Sequence, residues 1–218
     1  MTGKSTRKSK LAAAPKQTKG ERTRAAIKTA LAELINESGY SDLKLEDLCA
    51  RTGLTVGAFY FHFQSKDAAL EEMWTEMNRD FYHGILSSTQ EGDLEDVVQT
   101  LLKEMVRTCT ANPTLFRVGY WLIPRSFSCY QSWLEARSGL VKRLVALTAA
   151  RRGRAGRPSR GDYLDVHALL AGLEGFIENL FFGSDETMST ISKTPSKLVE
   201  ELWSHWRSVL FRPSPVPD

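Results

Sequence analysis

The sequence predicts an all-α chain on two observations. From Gly20 to Leu210 apolar residues recur at three- and four-residue spacing, the period of one helix face, and no convincing stretch alternates with the two-residue period of a strand. Gly39, Asn112-Pro113, Pro124, Pro158 and Pro213 fall between those periodic stretches and divide them into about nine helices. The arrangement read from them is a three-helix head at the N-terminal side and a larger helical body.

Each element follows from its own residues. Residues 1–19 are Lys, Ser, Thr and Ala with one Pro and no lasting period, so they read as a disordered basic arm. The first helix carries Ile27, Ala30, Leu31, Leu34 and Ile35 on one face and stops at Gly39. The second runs from about Leu45 to Arg51 and the third from about Val56 to His62. The fourth opens after Ser65 and shows Leu70, Met73, Trp74, Met77 and Phe81 at helical spacing. The fifth shows Leu94, Val97, Val98, Leu101, Leu102 and Met105, and the sixth is short, from Pro113 to about Leu122. The seventh carries Trp133, Leu134, Leu140, Val141, Leu144 and Val145. The Arg-rich stretch at 151–160, with its Gly and Pro, reads as a solvated, mobile connection rather than a second polyanion contact. The eighth helix holds Val166, Leu169, Leu170, Leu173, Phe176, Ile177 and Leu180. The ninth holds Leu198, Leu202, Trp206, Val209 and Leu210 and ends at Pro213. The predicted organisation is an arm at 1–19, a head at 20–64, a body at 65–213 and a tail at 214–218.

Composition narrows the function classes. In residues 1–24 eight basic side chains stand against Glu21 alone, while the 218-residue chain as a whole is only +3. A basic arm on a slightly acidic remainder fits a polyanion at one end, and it equally fits a tail that aids solubility. No apolar run reaches the roughly 18 residues of a membrane span, and Leu11–Ala14 is too short for a signal-peptide core, so a cytoplasmic protein without a membrane partner is expected. Cys49, Cys109 and Cys129 are few and far apart, which is neither a disulfide framework nor a zinc spacing; they read as packing residues before redox sensors. The four histidines form no metal-ligand cluster, and no nucleophile motif, phosphate loop or carboxylate pair stands out. No metal, no cofactor and no enzymatic activity are expected.

The stretch Leu45–Tyr60 carries the functional signal. Two short helices that cross closely and steeply need a small residue at the crossing, which Cys49 supplies, and a left-handed residue in the link, which Gly53 supplies without a Cβ penalty. Leu48, Leu54 and Phe59 then face a shared core, and Thr55 caps the next helix. Val56, Gly57 and Ala58 keep that helix's first turn small, so its backbone can come close to DNA, and its free N–H groups favour phosphate. This is the geometry of a helix-turn-helix, in which the second helix lies in the major groove.

The run Thr23–Ile27, then Gly39-Tyr40, Glu46–Cys49, Gly53–Phe63, Ser65–Asp67 and Leu70 closely resembles the tetracycline-repressor (TetR) family over roughly residues 20–72. The resemblance implies a nine-helix dimeric repressor with a ligand pocket in the body. Carried over position by position, it implies DNA contacts at Arg24, Lys44, Thr55, Val56, Gly57, Ala58, Tyr60, His62 and Lys66. Tyr60, His62 and Lys66 look like phosphate contacts, and Phe63 looks like an apolar plug beneath the head. Lys44 stands where the family usually has Thr or Ser; it can meet phosphate but is a poor cap. Cys49 stands where most members have Ala.

The dense aromatics and aliphatics of the body, with plain core packing as the alternative, give a candidate ligand site of Leu101, Met105, Phe116, Tyr120, Trp121 and Trp133. Arg125 is a possible anchor for an acidic group. The apolar stripes of the last two helices give a candidate dimer interface of Leu170, Leu173, Ile177, Leu202 and Trp206. The expected partners are double-stranded DNA with a near-palindromic operator, half-sites roughly 34–36 Å apart, a small apolar effector and a second copy of the chain. An activator or a regulator answering to a protein partner remains open. A helical binding protein for an apolar molecule is the alternative from another class.

Overall fold

The computed structural model describes residues 17–122, 124–183, 186–191 and 194–211. The arm before Gln17, Pro213 and the tail at 214–218 lie outside the described residues. Within them the secondary structure is helical: α1 (Lys19–Ser38), α2 (Leu45–Thr52), α3 (Val56–His62), α4 (Lys66–Ser88), α5 (Leu94–Ala111), α6 (Pro113–Leu122), α7 (Phe127–Arg151), α8 (Arg160–Phe182) and α9 (Pro195–Leu210), with a single 3-10 turn at Glu186–Thr190.

Side-chain caps set most of the boundaries. The Thr18 hydroxyl accepts from the Glu21 amide at 3.2 Å while the Glu21 carboxylate accepts from the Thr18 amide at 2.6 Å, so α1 starts one residue before Gly20. Gly39 ends it with φ 81°. Lys44 opens α2 although its side chain offers the backbone no acceptor. The acceptor comes from the other end of the turn, where the Asp47 carboxylate takes the Lys44 amide at 3.3 Å. Thr55 and Ser65 cap α3 and α4 by accepting from Ala58 and Ala68 at 3.1 Å and 3.0 Å.

The packing places the head on the body through few elements. Helices α1, α2 and α3 close around Ile27, Leu31, Leu48 and Phe59, all without solvent exposure. In the body α4 packs along α7 and α5 along α9, with α8 between α7 and α9. Contact between head and body runs through α1, which rests on α4 and α6, and through the loop before α2, which Lys66 and Asp67 of α4 hold. Its ionic part is a ladder: Arg24 and Lys28 of α1 reach Glu72, and Lys28 also reaches Glu76, both on α4.

In the connection at 151–160 most residues are exposed, as the solvated reading expects, but two of its arginines are fastened. Arg152 and Arg154 fold back onto Asp162, at 2.9 Å and 2.7 Å, and Arg152 also reaches Asp165 at 2.6 Å. Asp162 is fully buried. Burial opposes its charge, but the Ser159 amide and hydroxyl with both arginines hold its carboxyl below the usual range. The sequence period that places Asp162 at the third position after a capping Ser carries this signal, since the carboxylate also completes the cap of α8.

Candidate functional site

The helix-turn-helix is assembled as its residues dictate. Gly53 adopts φ 68°, ψ 21°, the left-handed conformation that lets α2 turn into α3. Cys49 is buried at the crossing and Phe59 is fully buried, which leaves the opposite face of α3 outward. That face presents Thr55, Val56, Gly57 and Tyr60, with Ala58 half-buried and Lys44 exposed beside it. Phe61, not singled out in the sequence, is 86% exposed and lies on the same surface, its ring edge-on to His62 at 5.3 Å. A large apolar side chain so exposed on α3 is a feature its neighbours in sequence gave no means of weighing.

Arg24, Lys66 and His62 have internal engagements. Arg24 donates to the His62 carbonyl and pairs with Glu72, and its guanidinium stacks 4.1 Å from the centroid of the buried Phe63 ring. Lys66 donates to the Leu43 carbonyl at 2.5 Å and the Tyr40 carbonyl at 3.4 Å, with its ammonium 4.3 Å from the Tyr40 ring centroid. Arg24 and Lys66, expected from the resemblance to meet DNA, already tie the head together, and phosphate would have to compete with the carbonyl and carboxylate partners in place. Tyr40 completes the knot by donating to Asp67. Burial, followed by this bond, pushes its phenol above the usual range.

Residues 27–73 match the family model for bacterial regulatory proteins, tetR family, which spans α1 to the first turns of α4. Over this segment the chain is similar to tetR-family regulators. No curated protein sequence matches it. Solved structures similar to this chain include a fatty acid degradation regulator, FadR, from Bacillus halodurans, with TM-score 0.64 and 18% identity over 88% of this chain and 96% of that one. GusR from Salmonella enterica gives TM-score 0.62 and 20% identity over 89% and 98%. FadR from Bacillus subtilis in complex with stearoyl-CoA gives 0.61 and 16% over 84% and 96%. At these identities the likeness is one of fold, and it extends from the head through the whole helical body.

The body holds a partly open cavity of about 380 Å³. Five of its lining residues come from α4: Trp74, Met77, Asn78, Phe81 and Tyr82. Met105 and Thr108 come from α5, Phe116 and Tyr120 from α6, Tyr130 and Trp133 from α7, and Glu174, Gly175 and Glu178 from α8, with Pro124 at the α6–α7 connection. Of the sequence candidates, Met105, Phe116, Tyr120 and Trp133 lie there. Leu101 does not, being fully buried in the core. Trp121 is half exposed at the surface, and Arg125 is exposed, donating to the Trp121 carbonyl at 2.9 Å and stacking on its ring at 4.9 Å. Helix phase explains the correction: Phe116 and Tyr120 are one turn apart and face inward, which turns Trp121 away.

The cavity's polar groups went unread in the sequence. The Glu174 carboxylate pairs with the Arg137 guanidinium at 3.1 Å, and Arg137 lies 5.0 Å from the Trp133 ring centroid. Burial lifts the Glu174 carboxyl above the usual range against the pull of Arg137. The Tyr120 hydroxyl donates to the Glu174 carbonyl at 3.4 Å. The Trp74 indole N–H is buried with no acceptor within hydrogen-bond reach. The available signal was Glu174 and Glu178 at i and i+4 in register with Leu170, which puts two carboxylates beside an apolar stripe.

A second apolar hollow, a groove of about 410 Å³, lies between α8 and α9. Leu173, Leu202 and Trp206 form part of its wall, together with Ala168, Gly172 and Phe176. Leu170 and Ile177, read as interface residues, are buried in the chain's own core at 2% and 0% exposure and have little surface to offer a partner. All three cysteines are buried, and burial pushes their thiols up, Cys109 to about 12, so thiolate is scarce at neutral pH and packing is their role. Among the described residues no group of His, Cys, Asp and Glu could hold a metal ion, and no helix is long and apolar enough to cross a membrane.

Proposed function

We propose that this DNA-binding regulator is a dimeric repressor that a small, largely apolar ligand releases from its operator. The observation that carries the reading is the course of α4. Its first turns belong to the head, where Lys66 holds the loop before α2 and Glu72 pairs with α1; one turn further on, Trp74 to Tyr82 form one wall of the cavity. A ligand that spreads the cavity pushes on the same helix that carries the head. Helix α6 gives a second path, since Phe116 and Tyr120 line the cavity and α6 packs against α1.

Release requires the ligand to bind the displaced state better than the DNA-bound one; a hundredfold preference corresponds to about 2.7 kcal/mol. The apolar α8–α9 groove supports a second copy seated there by a twofold axis, which would give two α3 helices one helical turn of DNA apart. The proposed DNA contacts are Lys44, Thr55, Val56, Gly57, Ala58, Tyr60 and His62. The stearoyl-CoA complex of Bacillus subtilis FadR supports a small-molecule ligand in a protein of this fold.

The test is fluorescence anisotropy of a labelled duplex taken from DNA flanking the chain's own gene, run against a panel of apolar small molecules with thermal melts in parallel. The reading expects at least one compound that raises the melting temperature and weakens DNA binding together. Tight, specific DNA binding that no stabilising compound alters would overturn it.

A further inference from the structure

We propose that the cavity of α4–α8 is built for a lipophilic cation. This rests on the ligand-responsive reading above and names the chemical class of its ligand. Among the described residues no Lys, Arg or His lines the cavity, while two carboxylates do, Glu174 and Glu178, one turn apart on α8. Arg137 is already committed to Glu174 at 3.1 Å, so the pair is close to neutral. Glu178 has no ion-pair partner among the described residues and leaves one negative charge at the wall uncompensated. An acidic ligand would meet that charge with no base to receive it; a cation would be paired by it.

The rest of the lining fits the same ligand. Trp74, Phe81, Tyr82, Phe116, Tyr120 and Trp133 surround the space with ring faces and edges. An ammonium held within about 6 Å of such rings gains from their quadrupoles, and the gain is larger when water is excluded. Tyr82 and Tyr120 are phenols, neutral at physiological pH and raised further by burial, so they add ring faces without competing charge. The volume, about 380 Å³, is at the small end of the range for drug-sized ligands and suits a compact aromatic or short-chain cation. Arg125, the anchor expected for an acidic ligand, lies outside this lining.

The experiment titrates the whole protein with three matched probes: 4-phenylbutyl-trimethylammonium, 4-phenylbutanol and 5-phenylpentanoate. Quenching of tryptophan fluorescence reports binding, since Trp74 and Trp133 line the cavity. The ammonium is expected to bind at least about tenfold more tightly than the carboxylate, with the alcohol between them. Glu178→Gln, at an exposed position where folding is not at risk, should bring the ammonium to within about threefold of the alcohol. Glu174→Gln is the second variant, checked by thermal melting because it strands the buried Arg137. A carboxylate that binds as tightly as the ammonium, a preference that survives both variants, or no binding by any probe would each overturn the inference. The two readings separate cleanly. An ammonium that binds with this preference and leaves operator affinity unchanged upholds the cation site and sinks release by ligand; a carboxylate that alone releases DNA does the reverse.

Discussion

The head is filled and the body is hollow. In the head, Ile27, Leu31, Leu48 and Phe59 close on one another without solvent exposure, and its boundary cations, Arg24 and Lys66, are bonded to internal carbonyls. In the body, α4 to α8 line a cavity, and an apolar groove lies between α8 and α9. Close-packed interiors move as units because every displacement breaks contacts, whereas an interior with a void can rearrange around it. The contrast teaches a division of labour. In the proposed function the head meets DNA as a rigid piece, and filling either apolar space of the body, by ligand or by a second copy, would change where that piece is held.

Truncating side chains on either side of this contrast gives the largest expected difference. Leu48→Ala removes a fully buried side chain from the head and should cost about 2–5 kcal/mol in chemical denaturation, with DNA binding lost alongside. Met77→Ala, at the cavity wall, should cost roughly 1 kcal/mol or less, because it enlarges a void already present. Equal costs at the two sites would erase the distinction.

Gly119 sharpens it on the body side. A Cβ there would stand 2.1 Å from the Trp74 ring, so α6 and α4 approach as closely as they do only because the residue is glycine. Gly119→Ala should displace Trp74 at a cost of about 1–3 kcal/mol, with a shifted tryptophan emission and a changed ligand affinity. An unaltered spectrum and melting point would mean that the contact is not maintained in solution.

On the head's outer face the proposed effects are on DNA alone. Tyr60→Ala should weaken binding across sequences, by about 1.5–3 kcal/mol if the hydroxyl meets a phosphate, and leave the melting temperature within a degree or two because the ring is already exposed. Val56 substitutions should change base preference instead. The smallest thermodynamic effect is expected at the groove. Gly172 is exposed, with no neighbouring heavy atom within 4 Å of where a Cβ would go, so Gly172→Arg should leave the protomer folded. Light scattering should nevertheless show it shifting from dimer to monomer; a dimer that persists would move the interface elsewhere.

How far the sequence could be read differs between the same two regions. The head's crossing, turn, caps and outward face are fixed within some twenty consecutive residues, and Gly53, Thr55, Cys49 and Phe59 sit as their chemistry requires. The nine α-helices among the described residues were likewise readable from periodicity, to within a few residues at their ends. The cavity was not, because its wall is drawn from five helices and depends on which flank of each stripe turns inward. Phe116 and Tyr120 were recognisable as aromatics, but Trp121 could be excluded only once the rotation of α6 was known. Periodicity also favours the deepest residues of a stripe, which is why Leu170 and Ile177 were read as an interface and proved to be core, while Ala168 and Gly172 beside the groove carried no hydrophobic signal. Asp162 and its arginines were hidden because buried ion pairs look like loop charges until the chain folds back.

The central claim is that the cavity and the DNA-reading face are coupled through α4. Thermodynamic reciprocity tests it without reference to any particular structural path. Calorimetric titration of 4-phenylbutyl-trimethylammonium into the free protein and into its operator complex should give a lower affinity in the complex, by the same factor by which a saturating concentration of that ligand lowers operator affinity, on the order of five- to a hundredfold. Identical ligand affinities with and without DNA would contradict the account.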